Sequence, residues 1–466
     1  MPQVAIIGAG ISGLAAAHAL ARAGCDVQVF ERGTSIGGRM HSERVGGFLM
    51  EHGPNCLVAP APAAESLIAQ AGLSGERIDR GEQVRRRYLV RNGRVHGLSV
   101  APHGLFTSNY LSPLARLRLL LEPFAPTVEA DESIADFVRR RFGREFLDYL
   151  IDPLVGGLYA GDPERLSMAA VLPQLKGLER RYGSVLRGVV QARLRRGHAN
   201  AAHPANRMLF SFRQGLGALP RQLAAGLSGR VHLGEGVSAL QPLPGGGFLL
   251  RLKKGEGVKG EVTRSIRAEQ VILATSAPVA AGLIEGLAPD VAEAVGGIAH
   301  PPLAVVFLGY SSRAVAHPLD GLGVLTPAKE KRPVLGMLFN STLFAGRAPE
   351  GCVALTAFVG GARDPALARL GASELAATVH REAAELLGID AAPLISRVRY
   401  WRTGLPQPAP GHGGLVEQVR RLEADYPGLH FTGNWLAGVS VSNCIDNATA
   451  VASRVAAEFR KVRAVS

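Results

Sequence analysis

The sequence predicts an α/β fold, and three observations carry that prediction. A β-branched run, Gln3 to Ile7, leads into a glycine turn and an Ala/Leu-rich segment. A second apolar run, Asp26 to Phe30, ends in the acid Glu31. Between residues 280 and 400, the runs PLAVVFLGY, VLGMLF and VALTAFVGG alternate with turn residues around one long helical pattern near 372–388, as in a mixed antiparallel sheet covered by helices. At 466 residues the chain exceeds a single core and calls for two or three domains.

The first element is a continuous apolar strand of the kind found in the centre of a parallel sheet. Gly8-Ala9-Gly10-Ile11-Ser12-Gly13 follows, then a helix to about Ala23, Gly24, the second strand and Glu31, with Arg32 beside it. This is a Rossmann-like βαβ unit with GxGxxG at the strand-to-helix turn. Gly8 permits the tight turn, Gly10 lets a pyrophosphate approach the backbone, and Gly13 allows close helix–strand packing. The helix N-terminus offers free N–H groups and partial positive charge to the phosphates. Glu31, eighteen residues after Gly13, is placed to accept both ribose hydroxyls, and an acid there argues against a 2′-phosphate.

Composition sets the outer bounds. Hydrophobic residues at 47% and charged ones at 20% describe a globular chain. No window approaches the ~20 apolar residues of a membrane span. The N-terminus enters a strand at once, without a signal-peptide pattern, so a cytoplasmic location is expected. Cys25, Cys56, Cys352 and Cys444 form no CxxC pair and no zinc spacing, so no metal site is expected. The net charge of +13 fits an acidic substrate or an anionic membrane surface as well as plain arginine-rich composition. No basic patch interleaved with aromatics and no DNA-binding spacing points to nucleic acid.

The residues after Glu31 choose the cofactor. Gly37-Gly38-Arg39 resembles a block of the flavoprotein family of amine oxidases, phytoene desaturases and protoporphyrinogen oxidases, in which it runs along the FAD pyrophosphate. FLMEHGPN, Phe48 to Asn55, resembles the family segment beside the flavin, with Gly53, Pro54, Asn55 and the following Cys56 at matching positions. Near the C-terminus, LHFTGNWLAGVSVSNCIDN resembles the segment closing the flavin site. There Gly433 matches the glycine at the diphosphate, and Gly438-Val439-Ser440-Val441 a helix start beneath the isoalloxazine. Val237, in a β-rich stretch running to VILAT (271–275), matches a position near the adenine. The resemblance implies FAD, and an FAD-binding domain assembled from 1–75, 207–278 and 405–466. Residues 76–206 then form a substrate-contacting segment and helical insertion, and 279–404 a mixed-sheet substrate domain.

In the insertion, Ser112-Pro113 starts a helix that Pro123 and Pro126 stop. Ser133 opens another, IADFVRRRF, which Gly143 ends. Arginines among leucines suggest a basic amphipathic surface able to lie on anionic lipid. Residues Gly197 to Asn206 read as a loop.

Three further blocks, GGLYAGDPERLS from Gly156, GLPQPAPGH from Gly404 and GVSVSNCI from Gly438, resemble protoporphyrinogen oxidase signatures. Leu172, Pro408 and Ser442-Asn443 depart from the pattern. The resemblance implies oxidation of a porphyrinogen: the flavin takes hydride from a methylene bridge, O2 reoxidises it with release of H2O2, and no side chain is needed as catalyst. Arg87 matches a propionate-binding position, although Arg85 and Arg86 beside it blur the register. Gly157, Leu322, Leu325 and Phe358 match pocket positions, and Trp401 either covers the site or packs. His52 is expected to be structural. Protoporphyrinogen IX is preferred over coproporphyrinogen III. The other readings are an amine oxidase or isoprenoid dehydrogenating enzyme, and a flavin- or porphyrin-binding hand-over protein. Contact with a downstream chelatase and homodimerisation stay open.

Overall fold

The computed structural model describes residues 3–59, 61–99, 110–195, 209–254 and 262–465. Its centre is a five-stranded parallel sheet in the order Val231–Leu233, Val27–Glu31, Val4–Ile7, Gln270–Leu273, Leu429–Phe431. Three separated stretches of chain therefore contribute to one sheet. The strand alternation divides the core into two layers. Val4, Ile6, Val27, Val29 and Ile272 face the helices Ile11–Arg22 and Val441–Val465, meeting Leu14, Ala17, Ile445 and Val451. Ala5, Ile7, Phe30, Val271 and Leu273 face helix Ala277–Ile284 and the antiparallel strands Glu235–Pro242, Phe248–Lys254 and Val262–Ala268. A strand covered on both sides needs no polar face, which is why residues 4–7 are all apolar and buried.

The second sheet has seven strands in the order Ile395–Trp401, Leu303–Ser311, Cys352–Gly360, Val334–Phe339, Gly321–Leu325, Arg86–Arg91, Arg94–Ser99. All neighbours are antiparallel except Gly321–Leu325 with Arg86–Arg91, which run parallel. The early hairpin thus completes a sheet whose other strands lie more than 200 residues later. Helix Ala372–Leu387 covers one face, packing Leu375, Val379 and Leu386 onto the sheet, and ends at Gly388 in the left-handed conformation.

The helical insertion includes Pro113–Leu120, Ile134–Phe142, Asp152–Tyr159, Pro173–Tyr182 and Val185–Arg195. Ser112 Oγ accepts the Ala115 N–H at 3.2 Å and Ser133 Oγ the Asp136 N–H at 3.0 Å, so each serine caps the helix it precedes. The expected basic outer surface is kept only in part: Arg139, Arg144, Arg180, Arg181 and Arg187 are exposed, while other basic residues turn inward. Arg118 donates to the Arg140 carbonyl, and Arg140 and Arg141 turn inward. Arg141 is wholly buried between Glu122 (2.6 Å) and Glu179 (2.8 Å). Lys176 bridges Glu132 and Glu179 at 2.8 Å each. A buried charge costs several kcal/mol unless paired, and Glu122, Glu132 and Glu179 supply the pairing. Burial pushes the Glu179 carboxyl up, but donors from Lys176, Arg140 and Arg141 outweigh it and hold the group down at about 2. The surface left outside mixes exposed arginines with an apolar stretch in which Leu114, Leu117, Leu120, Leu121 and Phe124 are all at least half exposed. The loop expected at Gly197 to Asn206 lies outside the described residues.

Candidate functional site

A single cavity of about 2770 Å³ runs from the carboxyl ends of the parallel strands to the seven-stranded sheet. Pockets for one small ligand measure roughly 300–1,000 Å³, so this volume suits a dinucleotide together with a second large molecule.

In the nucleotide half, Gly8, Gly10, Ile11, Ser12, Glu31 and Arg32 line the wall. Ala9 and Gly13 do not; they support it. A Cβ on Gly13 would stand 1.9 Å from the Gly8 carbonyl oxygen, so only glycine lets the helix close on the turn. A Cβ on Gly10 would meet nothing within 4 Å, because that backbone stands bare at the cavity. Ala9 N–H donates to Glu31 Oε2 at 2.9 Å and Gly33 N–H to Oε1 at 2.8 Å, which fixes the carboxylate at the strand end. Gly37 N–H donates to the Ala9 carbonyl at 2.8 Å and draws Gly38 and Arg39 alongside the turn. Val237 lines the same end from the antiparallel layer.

Arg39 reaches across the chain. Its Nη2 donates to the carbonyls of Thr403 (2.7 Å) and Gly404 (2.9 Å), tying the first segment to the end of the 279–404 stretch. Burial lowers its pKa, with Cys444 acting weakly the other way. Gly53, Pro54, Asn55 and Cys56 continue the wall. A Cβ on Gly53 would lie 2.2 Å from the Arg39 carbonyl oxygen. Asn55 Oδ1 accepts from Asn340 Nδ2 at 2.7 Å, anchoring this segment to the second sheet. From the C-terminal stretch come Gly433, Gly438, Val439, Ser440 and Val441. Ser440 Oγ accepts the Asn443 N–H at 3.1 Å, capping the helix that begins at Val441. Gly438, at φ +113°, makes the turn into it. Two helix N-termini, at Ile11 and Val441, therefore open on one cavity, a donor set suited to the anionic parts of a flavin dinucleotide. Burial raises the thiols of Cys56 and Cys444 to about 11, so both stay protonated and are poor nucleophiles.

In the other half, Arg87 alone of the three neighbouring arginines lines the cavity. Arg86 lies 3.7 Å from Asp320, and Arg85, exposed as Arg87 also is, is not part of the wall. The strand pairing sets Arg86 opposite Gly321 and Leu89 opposite Leu325, with a register shift at Leu322 and Gly323 between them. Across the sheet, Leu325, Gly336, Phe358 and Val305 fall in one register row, and all four line the cavity. Gly157 meets this row from the insertion: a Cβ there would stand 2.4 Å from Leu325 Cδ2, so its missing side chain leaves room for that leucine. Trp401 Nε1 donates to the His52 carbonyl at 2.7 Å and lines the wall between the halves. The His52 ring sits 2.9 Å from Glu43 and is not part of the wall.

Sequence reasoning missed Gly336 and Arg80. Gly336 carried a signal, since an interior strand glycine marks a close approach; a Cβ there would stand 2.8 Å from Leu325 Cδ2. Arg80 belongs to no block and follows a three-residue strand, Arg77–Asp79.

Comparison with known proteins agrees with this architecture. The family model described as flavin containing amine oxidoreductase matches residues 11–456. Protoporphyrinogen oxidase 2, chloroplastic/mitochondrial, of Arabidopsis thaliana is 32% identical over 95% of this chain and 91% of its own. Coproporphyrinogen III oxidase of Bacillus subtilis (strain 168) is 26% identical over 97% of both. A crystal structure from Exiguobacterium sp. 255-15 shares the fold with a TM-score of 0.81 at 23% identity, over 98% of each chain. With two glycine-lined helix starts meeting in one cavity and a family match spanning nearly its whole length, the chain belongs to the flavin-containing amine oxidoreductases, as an FAD-dependent oxidoreductase related to the protoporphyrinogen oxidases.

Proposed function

We propose that this protein oxidises protoporphyrinogen IX to protoporphyrin IX in porphyrin biosynthesis, with O2 as final acceptor and H2O2 as co-product. The observation that carries the reading is the continuity of the cavity, which joins a dinucleotide cradle to an apolar wall with a guanidinium beside it. A porphyrinogen is a large, flexible, apolar ring with propionates, and such a wall matches both features. Residues 8–13, 31–32, 37–39, 53–56, 237, 433 and 438–441 would hold FAD, which would supply a two-electron acceptor for the oxidation. The chain's own part is positioning. Arg87 pairs with a propionate through its planar fork, and Leu322, Leu325 and Phe358 hold the ring by dispersion and exclusion of water. Trp401 separates the two halves, and the N–H groups at Val439 to Val441 favour negative charge beside them.

The relationship to a coproporphyrinogen III oxidase supports a second reading, coproporphyrinogen III as substrate. The apolar row around Leu325 and Phe358 favours the substrate with fewer carboxylates. We place the enzyme in the cytoplasm, on the membrane face. The support is the exposed row Leu114, Leu117, Leu121 and Phe124, which would insert into lipid by hydrophobic contact. No helix among the described residues is long and apolar enough to cross a membrane.

The test is anaerobic mixing of purified holoprotein with each porphyrinogen while flavin absorbance is followed. Protoporphyrinogen IX should bleach the flavin within the turnover time, and air should restore the colour with one H2O2 per two electrons. Bleaching by a simple amine with indifference to both porphyrinogens overturns the proposal.

A further inference from the structure

Arg87 has a neighbour in the cavity wall. Arg80 lines the same cavity from the end of the Arg77–Asp79 strand, where its N–H donates to the Leu209 carbonyl at 2.8 Å. Between the two arginines the chain makes a tight excursion. Gly81 N–H donates to the Leu343 carbonyl at 3.0 Å, Val84 N–H returns to the Gly81 carbonyl at 3.2 Å, and Val84 is buried against Leu343 and Phe344. This knot fixes the ends of both flanking strands, so neither arginine sits on a free loop.

The local acids are already committed. Asp79 pairs with Arg77 at 2.8 Å, and Asp320 receives Tyr88 and Arg86. Among the described residues neither Arg80 nor Arg87 has a carboxylate within ion-pair distance. Burial lowers the Arg87 pKa, and the charge of Arg80 lowers it further. Two like charges that face one cavity without a counter-ion repel each other, and a ligand carrying two negative charges removes that repulsion.

We propose that Arg80 and Arg87 form a two-pronged clamp for a pair of carboxylates on one edge of the substrate, with Arg80 as a specificity-determining residue. This rests on the reading of the cavity as a porphyrinogen site and adds to it: the two prongs select a ring with two neighbouring propionates over one with a single free acid. Each guanidinium supplies a charge-assisted hydrogen bond to its own carboxylate. Leu322 and Leu338, packed beside Val84 and Leu343, leave the ring edge between the prongs in apolar surroundings.

The experiment is product binding by fluorescence to the FAD-loaded protein, with protoporphyrin IX as free diacid, monomethyl ester and dimethyl ester, for wild type, Arg80→Ala and Arg80→Lys. Wild type should bind the diacid most tightly. Arg80→Ala should weaken diacid binding about 10- to 100-fold, the range for one charge-assisted bond, and leave the dimethyl ester nearly unchanged. Arg80→Lys should recover part of the loss, and KM for the porphyrinogen should rise in Arg80→Ala with kcat little changed. Equal weakening of diacid and diester, or no weakening of either, overturns the clamp while wild-type turnover leaves the proposed function standing. If wild type binds none of the three porphyrins, clamp and function fall together.

Discussion

The two halves of the cavity are built in opposite ways. The nucleotide half is largely backbone: Gly8, Gly10, Gly38, Gly53, Gly433 and Gly438 present bare main chain, and the turn closes because Gly13 has no Cβ to strike the Gly8 carbonyl. The half proposed to hold the substrate is side chain: Arg87, Leu322, Leu325 and Phe358 are brought side by side by strand pairing between distant stretches. A wall of backbone has little freedom to yield, because moving it means moving a strand or a helix. A wall of side chains can repack. The same kind of substitution should therefore have unequal consequences in the two halves.

The largest effect is expected at the turn. Gly13→Val places methyl groups where even a Cβ comes to 1.9 Å of a backbone oxygen, so FAD uptake should be lost entirely. Purified variant should be colourless and should gain no flavin absorbance on reconstitution; a yellow protein with near-normal FAD content would erase the contrast drawn here.

Next comes the roof over the substrate half, the insertion with its buried ion network. Glu179→Gln removes the anion shared by Arg140, Arg141 and Lys176 and should cost about 3–5 kcal/mol of stability in that region, read by denaturant unfolding. The pH dependence has a definite sign. Glu179 is held at about 2, below its unfolded value near 4.5, so its stabilisation is present above about 4.5 and is lost as pH falls toward 2. Wild type should lose stability across that window faster than the variant. Parallel curves would show that Glu179 does not carry the acid sensitivity.

The smallest effect is expected at Gly157, where the obstacle is the tip of Leu325 and not backbone. Gly157→Val should retain FAD, lose about 1–3 kcal/mol of stability from overpacking, and raise KM several-fold. Thermal melting and flavin content of this variant, set against Gly13→Val, measure the difference between a wall that yields and one that does not.

The site was legible in the sequence where its geometry is local. The turn at residues 8–13 and the acid at Glu31 lie within one short stretch, so spacing alone carries their chemistry, while the helix start at Gly438 to Val441 was legible through its resemblance to the family segment. Arg87 could be proposed only among Arg85 to Arg87, because which of three adjacent side chains faces inward depends on register with Gly321–Leu325, more than 200 residues away. The arginines at 139–141 suggested a basic surface, yet two of the three turn inward, because Glu122, Glu132 and Glu179 converge on them from elsewhere in the insertion. Arg80 left no signal at all.

By itself, then, the order of residues determined the nucleotide turn and the alternation of strands and helices, since these depend on φ/ψ preferences and contacts a few residues apart, and it placed the flavin-side blocks by their resemblance to family segments. Only the tertiary structure decided which charges are buried, which arginines share the cavity and what the outer face of the insertion presents. Those outcomes depend on desolvation and pairing between groups remote in the chain, and no local pattern encodes where two such groups will meet.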